Sequence, residues 1–92
     1  MVKVAVVTDR FLCTEVKRGK GHVDPVHKHM DHESINYLVS GKMRVVIDDQ
    51  EFIATPSAYW VQPIGVDHYA EILEDSVNLE LKMPPTRTRN LE

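Results

Sequence analysis

The sequence predicts an all-β, antiparallel fold of sandwich or barrel type. Three observations carry this. Short runs rich in Val, Ile, Thr and aromatic residues recur along the chain, and turn signals separate them every eight to twelve residues. No stretch keeps the apolar period of an amphipathic helix. The five prolines fall between these runs or at their ends, where a missing N–H does little harm to a ladder.

Taken in order, Val2–Val7 and Phe11–Val16 read as the first two strands. Lys17-Arg18-Gly19-Lys20-Gly21 is a glycine-broken basic loop, read as a wet turn and not as a phosphate site. Strands at Val26–His29 and Ser34–Val39 flank a histidine-rich corner. Ser40-Gly41 is a hairpin signal leading into Lys42–Ile47, and Asp48-Asp49 closes a second hairpin with Gln50–Ala54. Ala58–Gln62, Asp67–Leu73 and Ser76–Met83 complete the set. The first strand has no evident partner within the chain. The last is expected at a sheet edge, with Val77, Leu79, Leu81 and Met83 on one face and Asn78, Glu80 and Lys82 on the other.

With 92 residues, positions 1–90 are expected to form one domain with a small core, and Leu91-Glu92 reads as a cloning scar. A net charge of −3 disfavours nucleic-acid binding. No apolar run approaches a membrane span, and Val2–Val7 is too short for a signal h-region. Cys13 is the single cysteine, so neither an intrachain disulfide nor a thiolate cluster can form, which suits a cytoplasmic location. Cys13 itself reads as a small hydrophobe, not a nucleophile.

Chemistry concentrates in histidine. His27 and His29 stand at i, i+2, so on a strand their side chains leave the same face. His68 follows about forty residues later in Pro63-Ile64-Gly65-Val66-Asp67-His68. Three imidazoles meeting at one point would bind a divalent transition metal such as Zn, Fe, Mn, Ni or Cu. His22 is expected in an exposed loop, and His32, three residues after His29, reads as a surface residue in preference to a spare ligand. Tyr37, Tyr59, Trp60 and Tyr69 read as packing or dimer contacts.

Gly21, His27-x-His29, Glu33-Ser34 and Gly41 together resemble the first motif of the cupin superfamily, and Pro63-x-Gly65-x-x-His68 resembles its second. The resemblance spans nearly the whole chain and is similar in its tail to small single-domain cupins of the pectin-degradation type. It implies an antiparallel jelly-roll β-barrel. It also implies a metal held inside by the two histidines of HxH, a Glu or Gln, and the histidine of the second motif. Homodimers formed by packed sheet faces or exchanged terminal strands are implied as well.

Two departures leave alternatives open. Ser34 stands where the resemblance expects the Glu or Gln ligand, with Glu33 one residue before it. If the register holds, Ser34, Asn36 and Leu38 face the pocket and the site is three histidines plus water. If a bulge turns Glu33 inward, a carboxylate joins them. In the last strand, Glu80, Lys82 and Thr86 replace an Asp, a Phe and an Arg of lyase-type relatives, with Arg87 one residue late. Glu80 remains a candidate general base. Two functions follow: a metalloenzyme acting on a sugar or carboxylic-acid derivative by lyase, isomerase or dioxygenase chemistry, or a non-catalytic small-ligand binder whose metal is structural or orients the ligand.

Overall fold

The computed structural model describes residues 2–85, so Thr86, Arg87 and the proposed scar at Leu91-Glu92 lie outside the described residues. Within them every regular element is a strand: β1 (Val2–Val7), β2 (Leu12–Arg18), β3 (Val23–His27), β4 (Glu33–Ile47), β5 (Gln50–Ala54), β6 (Tyr59–Gln62) and β7 (His68–Met83). All pairings are antiparallel, in the order β1-β2-β7-β4-β5, with β3 added to β7 and β6 added to β4. The ladder does not return from β5 to β1, so the closed barrel expected is instead a folded sheet.

Two strands organise it. β4 and β7 pair from Glu33–Met83 at one end to Ile47–His68 at the other. The hairpin expected at Ser40-Gly41 does not form, and the chain runs straight on as one strand. A tight two-residue turn would break this pairing. Instead the register slips between Leu38 and Met43. The outer neighbours change at the slip. One half carries β6, β2 and β1; the other carries β5 and β3. Gly41, at φ 96°, makes this irregularity possible, because an L side chain resists that conformation. A Cβ there would also lie 2.3 Å from the Asp75 carbonyl and 2.3 Å from Ser76 Oγ. Ser76 Oγ accepts from the Lys42 N–H at 3.1 Å and donates to the Glu74 carbonyl at 2.7 Å, serving backbone groups where the ladder slips.

The core lies between the two halves. Leu38 and Trp60 from one half pack with Met43, Val45, Ala54 and Ile72 from the other. Strand parity sets this: Ser34, Asn36 and Leu38 are buried, and Glu33, Ile35 and Tyr37 point out. β7 is not the expected edge strand; it is central, flanked by β2 and β4, and Asn78 and Lys82 are buried. β1 does have a partner within the chain, β2, although both its faces are largely exposed.

Substituting Gly41→Ala should cost about 3 kcal/mol, from the left-handed backbone plus the forced contact with Asp75 and Ser76. Thermal unfolding should shift down by more than about 10 °C. A shift of only a degree or two would show that the corner does not depend on glycine.

Candidate metal centre

His27 closes β3, and His68 opens β7 directly opposite it in the ladder. His29 lies beyond the strand, so the expected strand through His29 stops two residues short. Its position is fixed by a clasp between loops, in which the Gly65 N–H donates to the His29 carbonyl at 2.8 Å. Gly65 adopts φ 74°, which a side chain would strain. The three rings reach one point: a nitrogen from each of His27, His29 and His68 lies within 4.8 Å of the other two. Ring centroids are 4.2 Å apart for His27–His68, 5.0 Å for His27–His29 and 5.2 Å for His29–His68.

The donor set fits a cation. His27 Nδ1 lies 2.7 Å from the Pro25 carbonyl, and His68 Nδ1 lies 3.4 Å from the Val66 carbonyl. Carbonyls accept only, so these contacts place the ring protons on Nδ1. Both Nε2 atoms then carry lone pairs, yet they face each other at 3.0 Å. Two lone pairs at that distance repel unless a shared cation or a proton lies between them. Nitrogens bound at about 2.0–2.1 Å to one metal sit roughly 3.0 to 3.4 Å apart, so the spacing suits shared coordination. The carbonyls orient the rings as backbone acceptors do in metal sites.

Glu33 does not join the histidines: it is exposed on the outer face. Ser34 is buried, but its hydroxyl donates to Gln62 Oε1 at 3.0 Å, and Gln62 lies opposite it on β6. Gln62, not Ser34, lines the cavity beside the histidines. That cavity is about 200 Å³ and is walled by Met43, Val45 and Ala70 from one half and by Asn36, Asn78 and Glu80 from the other. Glu80 thus turns inward and does not form a wet edge. Arg18 and Asp24 also line the cavity and are ion-paired, and Arg18 Nη2 reaches Asn78 Oδ1 at 3.4 Å.

His32 is not at the surface as expected. It is 4% exposed, with its ring 4.4 Å from that of His29. Asp31 Oδ1 holds its Nδ1 at 2.7 Å, while its Nε2 is buried without a hydrogen-bond partner among the described residues. Its sequence neighbours are polar, so nothing local signalled burial. His22 is exposed and meets Asp24 at 3.1 Å. Trp60 and Phe52 pack edge to face in the core, Tyr69 sits under the Arg44 guanidinium, and Tyr37 and Tyr59 lie opposite each other on the outer face.

Burial pushes the His29 imidazole down to about 4, and the neighbouring His32, His68, His27 and Lys82 add to the effect. His68 is lowered first by burial and then by His27. Both are therefore neutral near pH 7, the form that ligates a metal. An unfolded chain protonates the same rings near 6.5, so between that value and about 4 it binds more protons than the fold. The stability of metal-free protein should accordingly fall as pH drops through this window. Unfolding midpoints measured from about pH 7 to about pH 4.5 should show a decline that His29→Gln flattens. An identical slope in that variant would refute the assignment of the effect to His29.

The chain matches the Cupin domain family over residues 14–82. Among solved structures, KdgF from Halomonas sp. superimposes with a TM-score of 0.90 at 30% identity, covering 98% of this chain and 83% of that one. An RmlC-like cupin from Shewanella frigidimarina gives a TM-score of 0.87 at 21% identity, covering 97% and 78% of the two chains. One from Desulfovibrio desulfuricans gives 0.81 at 24%, covering 94% and 83%. No curated protein sequence matches significantly. The Cupin domain match spans most of the chain, from β2 to the end of β7, and places this protein in the cupin superfamily.

Proposed function

We propose that this cupin is a metalloenzyme acting on a small organic molecule, with a divalent transition metal held by His27, His29 and His68. The observation that carries the proposal is one small cavity containing both the three-nitrogen cluster and an inward carboxylate, Glu80. A bound divalent metal supplies Lewis acidity, polarising a substrate oxygen and making adjacent protons easier to remove. The chain supplies the rest. Glu80 Oε accepts the proton, and the apolar wall of Met43, Val45 and Ala70 limits water. Proton abstraction of this kind serves lyase or isomerase chemistry, which Glu80 favours over oxygen activation. The Halomonas neighbour is a KdgF. Since Lys82 and Thr86 differ from lyase-type relatives, its substrate is not carried over. The fold is read as a jelly roll, with residues 1–90 as its single domain.

The thiol has no part in this reading. Cys13 lies half-buried on the outer face, and burial raises its pKa, which disfavours the reactive thiolate. Elemental analysis of tag-free protein should find one transition metal per chain, and His29→Ala should lose it. Glu80→Gln should retain metal and lower kcat about 10²- to 10⁴-fold, while Cys13→Ser leaves turnover nearly intact. Metal retained at full stoichiometry in His29→Ala would overturn the ligand set. Full metal and ligand binding without turnover of any acid or sugar would favour the non-catalytic binder.

A homodimer is part of the same reading. Val61, Ile35, Leu81, Cys13 and Val6 stand opposite one another in successive strands, and Tyr59, Tyr37 and Leu79 form a second row beside them. Ile35, Tyr37, Val61 and Tyr59 are 36%, 40%, 48% and 77% exposed, an apolar outer face that a second copy would cover. Light scattering should give twice the 10.5 kDa chain mass, and the double variant Ile35→Glu, Tyr37→Glu should give the monomer. A monomeric wild type would leave that face without its partner.

A further inference from the structure

Lys82 is a cation placed where a cation is costly. It is 6% exposed, lies near the end of β7, and lines the cavity that holds the histidines. Its ladder neighbours are Leu12 on β2 and Ser34 on β4, neither of which is an anion. Among the described residues no carboxylate lies within ion-pair distance of its ammonium, Glu80 included. The other cation of the cavity, Arg18, is committed to Asp24 and Asn78. The hydroxyl of Ser34 is committed to Gln62. Burying an ammonium without a counter-charge is unfavourable, and it is tolerated where an anion arrives to pair with it.

We propose that Lys82 receives the carboxylate of the molecule bound at the histidine cluster, so that the ligand class is a small organic acid, taken in preference to neutral sugars and amides. This deepens the small-molecule reading of the cavity and rests on it. Two of the four charged side chains in the cavity, Arg18 and Asp24, cancel, which leaves Glu80 and Lys82. Glu80 is left to handle protons; Lys82 is left to hold charge. The limited volume restricts the acid to a few carbons or one sugar ring.

The test uses matched pairs that differ only in charge or in the acid group: lactate against lactamide, and glucuronate against glucose. Each is titrated by NMR into wild type, Lys82→Met and Lys82→Arg, metal-loaded and metal-stripped, with metal content measured on every sample. Wild type should bind at least one acid about tenfold or more tighter than its neutral partner, the worth of one hydrogen bond to a charged group. Lys82→Met should abolish that preference with metal content unchanged, and Lys82→Arg should keep part of it. The Lys82-dependent preference should persist, more weakly, in stripped protein. Lys82→Met removes an unpaired buried charge at nearly constant volume, so its ligand-free unfolding temperature should match or exceed that of wild type. No acid preference in wild type, or the same preference in Lys82→Met, would overturn the proposal. Absence of metal from wild type would strike the metal reading instead, while the stripped-protein titrations still decide the role of Lys82.

Discussion

The long antiparallel pairing of β4 with β7 is the constraint on which the rest of the molecule depends. Every other strand except β1 adds to one of these two. Because both run through the register slip at Gly41, each contributes one stretch to each half of the folded sheet. β7 therefore carries His68 at one end and Glu80 and Lys82 toward the other, and all three line one cavity. The corner that breaks ideal pairing is thus also what brings the imidazole nitrogens and charged side chains together.

Within the cavity the electrostatics are unbalanced in a consistent way. Backbone carbonyls fix the ring protons of His27 and His68 so that two lone pairs confront each other, and burial keeps His29 neutral. The histidine end is a concentration of donors for a cation. Lys82, which lines the same cavity, is a cation without an ion-pairing carboxylate among the described residues. A metal would resolve the first mismatch and an anion the second. Such stored mismatch is common where a fold gives up local stability for binding.

Much of this was legible in the sequence, and the failures have physical causes. Of the two registers that period-two alternation left open, the one with Ser34, Asn36 and Leu38 inward and Glu33 outward forms, and the spacing of the histidines anticipated their meeting. Ser40-Gly41 misled because a turn dipeptide reports local backbone freedom, which serves a bulge as well as a hairpin. His29 reaches the cluster by a clasp from Gly65 and not by strand parity, a contact between distant loops that no short window contains. The burial of His32 and the central place of β7 depend likewise on long-range pairing. That Gln62 lines the cavity while Ser34 bonds to it is visible only once the two are known to stand opposite on paired strands.

Trp60, the single tryptophan, is buried in the core, packs against Phe52 and lines the cavity. Its indole N–H has no acceptor among the described residues. The chain therefore carries its own optical probe, with no competing emitter of the same kind. Emission from one indole reports the integrity of the core and the contents of the cavity at once. A paramagnetic ion such as Cu²⁺ or Ni²⁺ at the histidines would quench it, whereas Zn²⁺ would leave it bright. Fluorescence thereby separates classes of metal that the ligand set alone does not distinguish.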